Sequence, residues 1–339
     1  MAIDYTTLRS AARLLMEAEL KPLQGNRFQP TGFADLGAAR YTVPSADGAS
    51  SVEMLLVESA QSVANRMELA CWDEANDTLI PELKGLPYVV VKAGDGKEIT
   101  NSFLEAHRIN SEYIMKSGGK PSAFSVQFAE EIGYAADAPV QWHRFHEALF
   151  KYDVNSLIHG CFLEEIAGRL RVTRALSGFI EARNIAPAES GGVKNNHVQP
   201  GLKSGEGNVP FPRTEFVAER ITCYFNLDLA LLRGYGLGQH ATDVLVALAL
   251  FKVRRFLSTG LRLRTACDLE LVGELAVKRP DGFAVPPESE LLDECSRLIG
   301  VCADQFAGMT SMQWEPKKKT AKDAKDKPTD ADDDSDPKE

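Results

Sequence analysis

The stretch LLVESAQSVANRME, residues 55–68, changes character halfway along. Its apolar start, which extends back to Val52, reads as a buried strand, and Ser59 is a good N-cap for a helix beginning at residue 60. Ala60, Val63, Ala64, Met67 and Cys71 then recur at helical spacing and define a narrow core stripe. On the other side, Gln61 precedes Asn65 by four residues and Ser62 precedes Arg66 by four, so each pair meets on the helix surface. Two readings of that polar side stay open. One is an ordinary solvated face. The other is a phosphate site, because a solvated face is normally rich in Lys and Glu, whereas this one offers short neutral donors beside a helix N-terminus with free N–H groups.

Upstream, TLRSAARLLMEAEL (7–20) places Leu8, Ala11, Ala12 and Leu15 at helical spacing, which predicts an N-terminal helix. GNRFQPTGFADLG (25–37) comes next, where three glycines and a proline forbid extended regular structure. Asn26, Arg27 and Gln29 make this loop rich in donors.

Downstream, LPYVVVKA (86–93) reads as a strand. SFLEAHRINSEYIMKSG, SAFSVQFAEEIG and VQWHRFHEALFKYD read as helices of an inserted lobe spanning 94–151. LRVTRALSGFIEA (170–182) and FVAERITCYFNLD (216–228) alternate as strands do. Between them, residues 185–213 hold five glycines and four prolines and read as a long loop, of the length that is usually functional or disordered. The segment carries Lys194, Asn195, Asn196, His197, Lys203 and Arg213 against only Glu189 and Glu206, so it is locally basic. RGYGLG (233–238) turns the chain into ATDVLVALALFKVRRFL, apolar nearly all round and therefore a buried helix. Lys252, Arg254 and Arg255 are expected near its C-terminal end, where the helix dipole favours cations. The strand LRLRTACDLELV (261–272) sets Arg262 and Arg264 opposite its apolar face, and a last helix covers about 288–306. This order implies an α+β fold with an antiparallel sheet, best matched by a split βαβ arrangement.

The chain has 339 residues and a formal charge of −10. From Pro316 onward it lacks aromatic residues and Leu, Ile and Val, and a lysine-rich half precedes an aspartate-rich half, the composition of a disordered tail. Residues 1–315, expected to form one domain, hold 31 basic and 40 acidic residues. That balance argues against a wholly basic nucleic-acid-binding domain but leaves a locally positive surface open. Six cysteines without CxxC spacing read as reduced core residues and give no metal cluster. With neither a signal peptide nor a long apolar span, a soluble cytoplasmic protein is expected.

Catalytic readings are weak. His143 and His146 are three apart, but no further metal ligands accompany them. His159 with Cys161 lacks an activating pattern, Ser59 lacks a nucleophile elbow, and RGYGLG departs from both phosphate-loop signatures.

Together, GNRFQPTGFADLG, LLVESAQSVANRME, SLIHGCFLE, RALSGFIEARN and VPFPRTEFVAERITCYFNLD resemble the backbone subunit of the type I-G (formerly I-U) CRISPR Cascade, the Csb-one group of Cas-seven-like RAMP proteins. The resemblance spans most of residues 20–275. It implies a modified RNA-recognition-motif (ferredoxin-like) palm, with 94–151 as a finger-like lobe and 185–213 as the thumb loop. It also implies a non-enzymatic role without cofactor or metal. Several copies would stack in a helical filament along CRISPR RNA, beside a large subunit and a repeat-processing, end-capping subunit, and present the guide to a target DNA strand. The RNA-binding residues so implied are Asn26, Arg27, Gln29, Gln61, Ser62, Asn65, Arg66, Arg174, Lys194, Asn195, Asn196, His197, Lys203, Arg213 and Tyr235. RGYGLG matches the superfamily's glycine-rich loop only loosely. A rival reading, a metal-dependent guide-bound ribonuclease of the type III backbone kind, would use a loop aspartate, and residues 185–213 contain none. A small-molecule α+β enzyme is the third reading, and no acid, base and metal constellation supports it.

Overall fold

A computed structural model describes the chain except residues 1–2, 34–35, 46–47, 49, 165, 167, 196–207 and 318–339. The tail therefore falls almost wholly outside the described residues, as does the tip of the segment 185–213.

In chain order the main elements begin with β1 (Arg13–Pro22), β2 (Arg40–Pro44), β3 (Ser51–Glu58) and α1 (Ala60–Leu69). Between α1 and the next long strand come β4 (Tyr88–Lys92), β5 (Glu98–Asn101), α2 (Ala123–Glu131), α3 (Trp142–Tyr152) and α4 (Val154–His159). Then come β6 (Leu176–Asn195), β7 (Asn208–Asp228), α5 (Gln239–Thr259), β8 (Arg262–Arg264), β9 (Cys267–Arg279), α6 (Glu288–Val301) and β10 (Met309–Gln313). Seven strands form one antiparallel sheet in the order β8-β9-β1-β7-β6-β3-β2. Its centre, β9-β1-β7-β6, with α1 between β1 and β6 in sequence and α5 between β7 and β9, is the split βαβ topology of a ferredoxin-like palm. A second sheet, β10-β4-β5, pairs β4 in parallel with the chain's last described strand.

The N-terminal segment corrects one expectation. Only Thr6–Ser10 is helical, and the chain continues as β1 with Leu14, Met16, Ala18 and Leu20 buried. A period of two was present beside the helical one, and pairing with β7 and β9 on both sides selects it. Residues 102–118 are likewise not one helix. The Asn101 side chain accepts from the N–H groups of Phe103 and Leu104, Arg108 adopts φ 54°, and helix returns only at Glu112–Met115.

α1 forms as its sequence requires. The Ser59 hydroxyl accepts from the Ser62 N–H at 3.3 Å, and Val63, Ala64 and Met67 are buried on the sheet. Gly178 makes this approach possible, because a Cβ there would lie 3.1 Å from Val63 Cγ1 and 2.8 Å from the Phe225 ring.

The expected loop at 185–213 is a second correction. β6 runs to Asn195 and β7 begins at Asn208, paired in one register from Leu176↔Leu227 to Asn195↔Asn208 with a break at Asn184, whose φ is 52°. Its prolines are compatible with pairing. Phe216 exchanges both backbone hydrogen bonds with Phe28 at 2.9 Å, so the Pro187↔Phe216 pair is a non-hydrogen-bonded one. Gly191↔Pro212 and Val193↔Pro210 fall in the same alternating class, where a missing N–H costs no ladder bond. The segment is a two-stranded arm rising from the sheet.

Candidate nucleic-acid interface

The arm's root, the 25–31 loop and the β8–β9 hairpin meet. Phe28 is anchored to Phe216, and the Gln29 N–H donates to the Ala266 carbonyl at 2.7 Å. This places Arg27 Nη1 3.2 Å from Glu215 and lets Arg213 Nη2 donate to the Gln29 side chain at 2.7 Å. Arg264 donates to the Gln29 and Val57 carbonyls at 2.8 and 3.3 Å and pairs with buried Glu58. Asn26 and Arg27 are exposed on a cleft of about 290 Å³ that also involves Glu215, Thr265 and Asp268.

α1 continues this surface. Gln61 donates to Asn65 at 3.2 Å and accepts from Arg174 Nη2 at 3.1 Å, and Arg174 also donates to the Ala60 carbonyl at 3.2 Å. Burial pulls the Arg174 pKa down from its usual value, and the nearby Arg108 charge pushes the same way. Arg66 faces inward to the β8 backbone, donating to the carbonyls of Arg262 at 3.3 Å and Leu263 at 2.5 Å. It holds α1 to the hairpin. Arg262, beside it, is exposed, and no carboxylate among the described residues pairs with its side chain.

Thus Asn26, Arg27, Gln29, Gln61, Ser62, Asn65, Arg66, Arg174 and Arg213 lie on linked elements. Tyr235 stands apart as a core residue: it is buried, its hydroxyl donates to the Leu157 carbonyl at 2.9 Å, and its ring meets His146. Lys194 and Asn195 lie at the end of β6 with side chains outside the described set, and Asn196, His197 and Lys203 lie outside the described residues. Arg262 and Arg264 are the contributors that the sequence reading left unassigned, although the LRLR alternation already set them on one face.

Behind α1 lies a buried charged network that sequence spacing did not disclose. Glu68 accepts from Arg108 Nε at 2.9 Å and from its Nη2, and Arg108 Nη1 donates to the Gly160 carbonyl at 2.8 Å. Lys252 is fully buried, bonded to the Asn155 side chain and 2.9 Å from His159 Nε2. The expected place near the C-terminal end of its helix is thereby corrected: the helix runs on to Thr259, and Lys252 lies before its last turn, inside the core. Burial, Lys252 and Arg108 push the His159 pKa well down, and burial pushes the Cys161 thiol up to about 12, so neither is primed for nucleophilic chemistry. Among the described residues no group of three or more His, Cys, Asp or Glu is placed to hold a metal ion. His143 instead contacts Glu147 at 3.2 Å and the Gly236 carbonyl.

A split βαβ palm carrying a long β-arm, with arginines and side-chain amides gathered at the arm's root, defines the class: an α+β ferredoxin-like scaffold with a polar groove. The family is given by sequence. The model of the CRISPR-associated protein GSU0053 family matches residues 14–187, just over half of the 339 residues, and the chain belongs to that family. Comparison with curated protein sequences gives no match. Among solved structures, the chain is similar to a chain of a CRISPR RNA-guided surveillance complex described as pre-nicking, with 15% identity, 85% of this chain and 89% of that one covered, and a TM-score of 0.40. It is also similar to Thermofilum pendens Csc2, with 10% identity, coverage of 90% and 79%, and a TM-score of 0.34. No helix among the described residues is long and apolar enough to cross a membrane.

Proposed function

We propose that the chain is an RNA-coating backbone subunit of a CRISPR ribonucleoprotein of the Cascade kind, type I-G, that holds a guide RNA and presents it to target DNA. The observation that carries this reading is the linked surface from Arg27 through Gln29, Arg213 and Arg264 to α1 and Arg174, at the root of an arm long enough to reach another copy. Arginines and amides of this kind contact phosphate and sugar, positioning a strand without reading its sequence. That suits a coat that accepts any guide, with target choice delegated to base pairing. The acidic remainder of the chain keeps the assembly soluble while the groove supplies local positive charge. The role is architectural, supported by the absence of Asp from residues 185–213. Further copies, a large subunit and an end-capping subunit are the protein partners in this reading.

Co-expression with a CRISPR array and the neighbouring subunits tests it. An oligomer carrying RNA of uniform length is expected; a monomer free of nucleic acid under those conditions would overturn the proposal. Complementary RNA offered with magnesium should remain intact, and its cleavage would favour the ribonuclease reading.

A further inference from the structure

The helices pack on one face of the seven-stranded sheet, against residues such as Met16, Ile180 and Cys223. On the opposite face, Phe179 of β6 and Tyr224 of β7 are cross-strand neighbours, stacked with ring centroids 5.1 Å apart at 27°, and both are only partly buried. Four residues towards the arm, Arg183 and Arg220 face each other directly. Like charges directly opposite each other on neighbouring strands repel. Arg220 has Glu19 at 3.3 Å, whereas exposed Arg183 has no carboxylate partner among the described residues. Beyond the rings in the other direction lies Arg279, also exposed and without such a partner. The acids on this face are already engaged: Glu17 with Lys278 at 3.3 Å, Glu181 with the Tyr41 hydroxyl, and Asp228 with Arg13 at 2.6 Å.

We propose that this open sheet face is a second RNA-binding surface, on which bases of a single strand stack against Phe179 and Tyr224 while Arg183 and Arg220 hold phosphate. It rests on the reading of the chain as an RNA-binding subunit. Aromatic rings accept any base on their π-faces, which matches a coat without sequence preference. The arginines stand about 13 Å from the rings along the strand, so a short stretch of RNA reaches both. An anion between Arg183 and Arg220 also relieves the repulsion that their pairing creates. A neutral protein partner would leave that repulsion in place, which favours RNA over a protein occupant.

The test uses the full chain and a single-stranded oligoribonucleotide of mixed sequence. In Tyr224→Trp, RNA should quench indole emission beyond the change seen with the native tryptophans. Replacing both Phe179 and Tyr224 by Leu should weaken binding about ten-fold or more, and Arg183→Gln should lower the slope of log affinity against log salt by about 0.7. Thermal melts establish that each variant folds. Should the leucine variant fail to fold, Tyr224→Trp quenching and exposed Arg183→Gln decide. Unchanged affinity and an unquenched tryptophan, while Arg27→Gln and Arg174→Gln still lose RNA, would overturn this surface and leave the proposed function standing. Loss of self-association with RNA affinity intact would make the face an interface between copies instead, again overturning it. If no form of the protein binds RNA, both readings fall.

Discussion

Arg66 reaches across from α1 to the β8 backbone, its Nη2 donating to the Leu263 carbonyl at 2.5 Å. A residue whose spacing on a polar helix face marks it for a ligand thus also fastens that helix to the neighbouring hairpin. This observed tie and the proposed RNA contact give separable consequences.

Arg66→Ala is expected to lower unfolding free energy by about 1.5–3 kcal/mol, the usual worth of hydrogen bonds from a charged group. Chemical denaturation checks this. A variant as stable as wild type would mean that these contacts contribute nothing to the fold and that Arg66 serves RNA alone.

Arg262→Gln makes the contrast, because that side chain is exposed and unpaired with any described carboxylate. Stability should stay within about 0.5 kcal/mol of wild type. RNA affinity should fall across all sequences alike, with a shallower salt dependence. A sequence-dependent loss would place Arg262 against a base edge.

The Glu68–Arg108 pair is buried, so removing one partner strands a charge in the core. Glu68→Ala should cost about 3–5 kcal/mol. The double change Glu68→Leu with Arg108→Met should recover much of that loss, as a denaturant series on the single and double variants would reveal.

Met67→Ala removes a fully buried side chain from the α1 stripe and should cost about 2–5 kcal/mol. Gly178→Ala should destabilise by about 1–3 kcal/mol through crowding of Phe225 and Val63. A neutral Gly178→Ala in thermal denaturation would show that α1 can retreat from the sheet.

His159 is held neutral in the fold, with its pKa well below 6.5 because of burial and the Lys252 and Arg108 charges. The unfolded chain takes up that proton near pH 6.5 and the folded chain does not, so acid favours unfolding. Relative to His159→Gln, wild type should lose about 1.4 kcal/mol of stability per pH unit below about pH 6. Buried Asp153, raised to about 6, contributes the opposite trend, but it does so in both proteins and cancels in the comparison. Parallel stability curves would mean that His159 is already charged in the fold.

Much of the palm is legible in the sequence because local chemistry and global packing agree there. Ser59 caps α1, and the stripe through Val63 and Met67, the buried 241–257 helix and the β7 alternation each carry one consistent pattern. β1 was not legible, since Leu8, Ala11 and Leu15 support a helix as well as Leu14, Met16 and Ala18 support a strand; the choice is made by β7 and β9 alongside. The arm was hidden by its prolines, which read as loop residues until register shows that their missing N–H groups face away from the partner strand.

The candidate interface divides similarly. Residue type and spacing determined that Gln61, Ser62, Asn65 and Arg66 share one side of a helix, and that 25–29 and 185–213 are rich in donors. Only the tertiary structure decided that Arg174, Gln29, Arg213 and Arg264 converge there, that Tyr235 belongs to the core, and that Arg183 and Arg220 oppose each other. These are contacts between residues far apart in the chain, set by strand register and helix docking, and a single sequence carries no local signal for them.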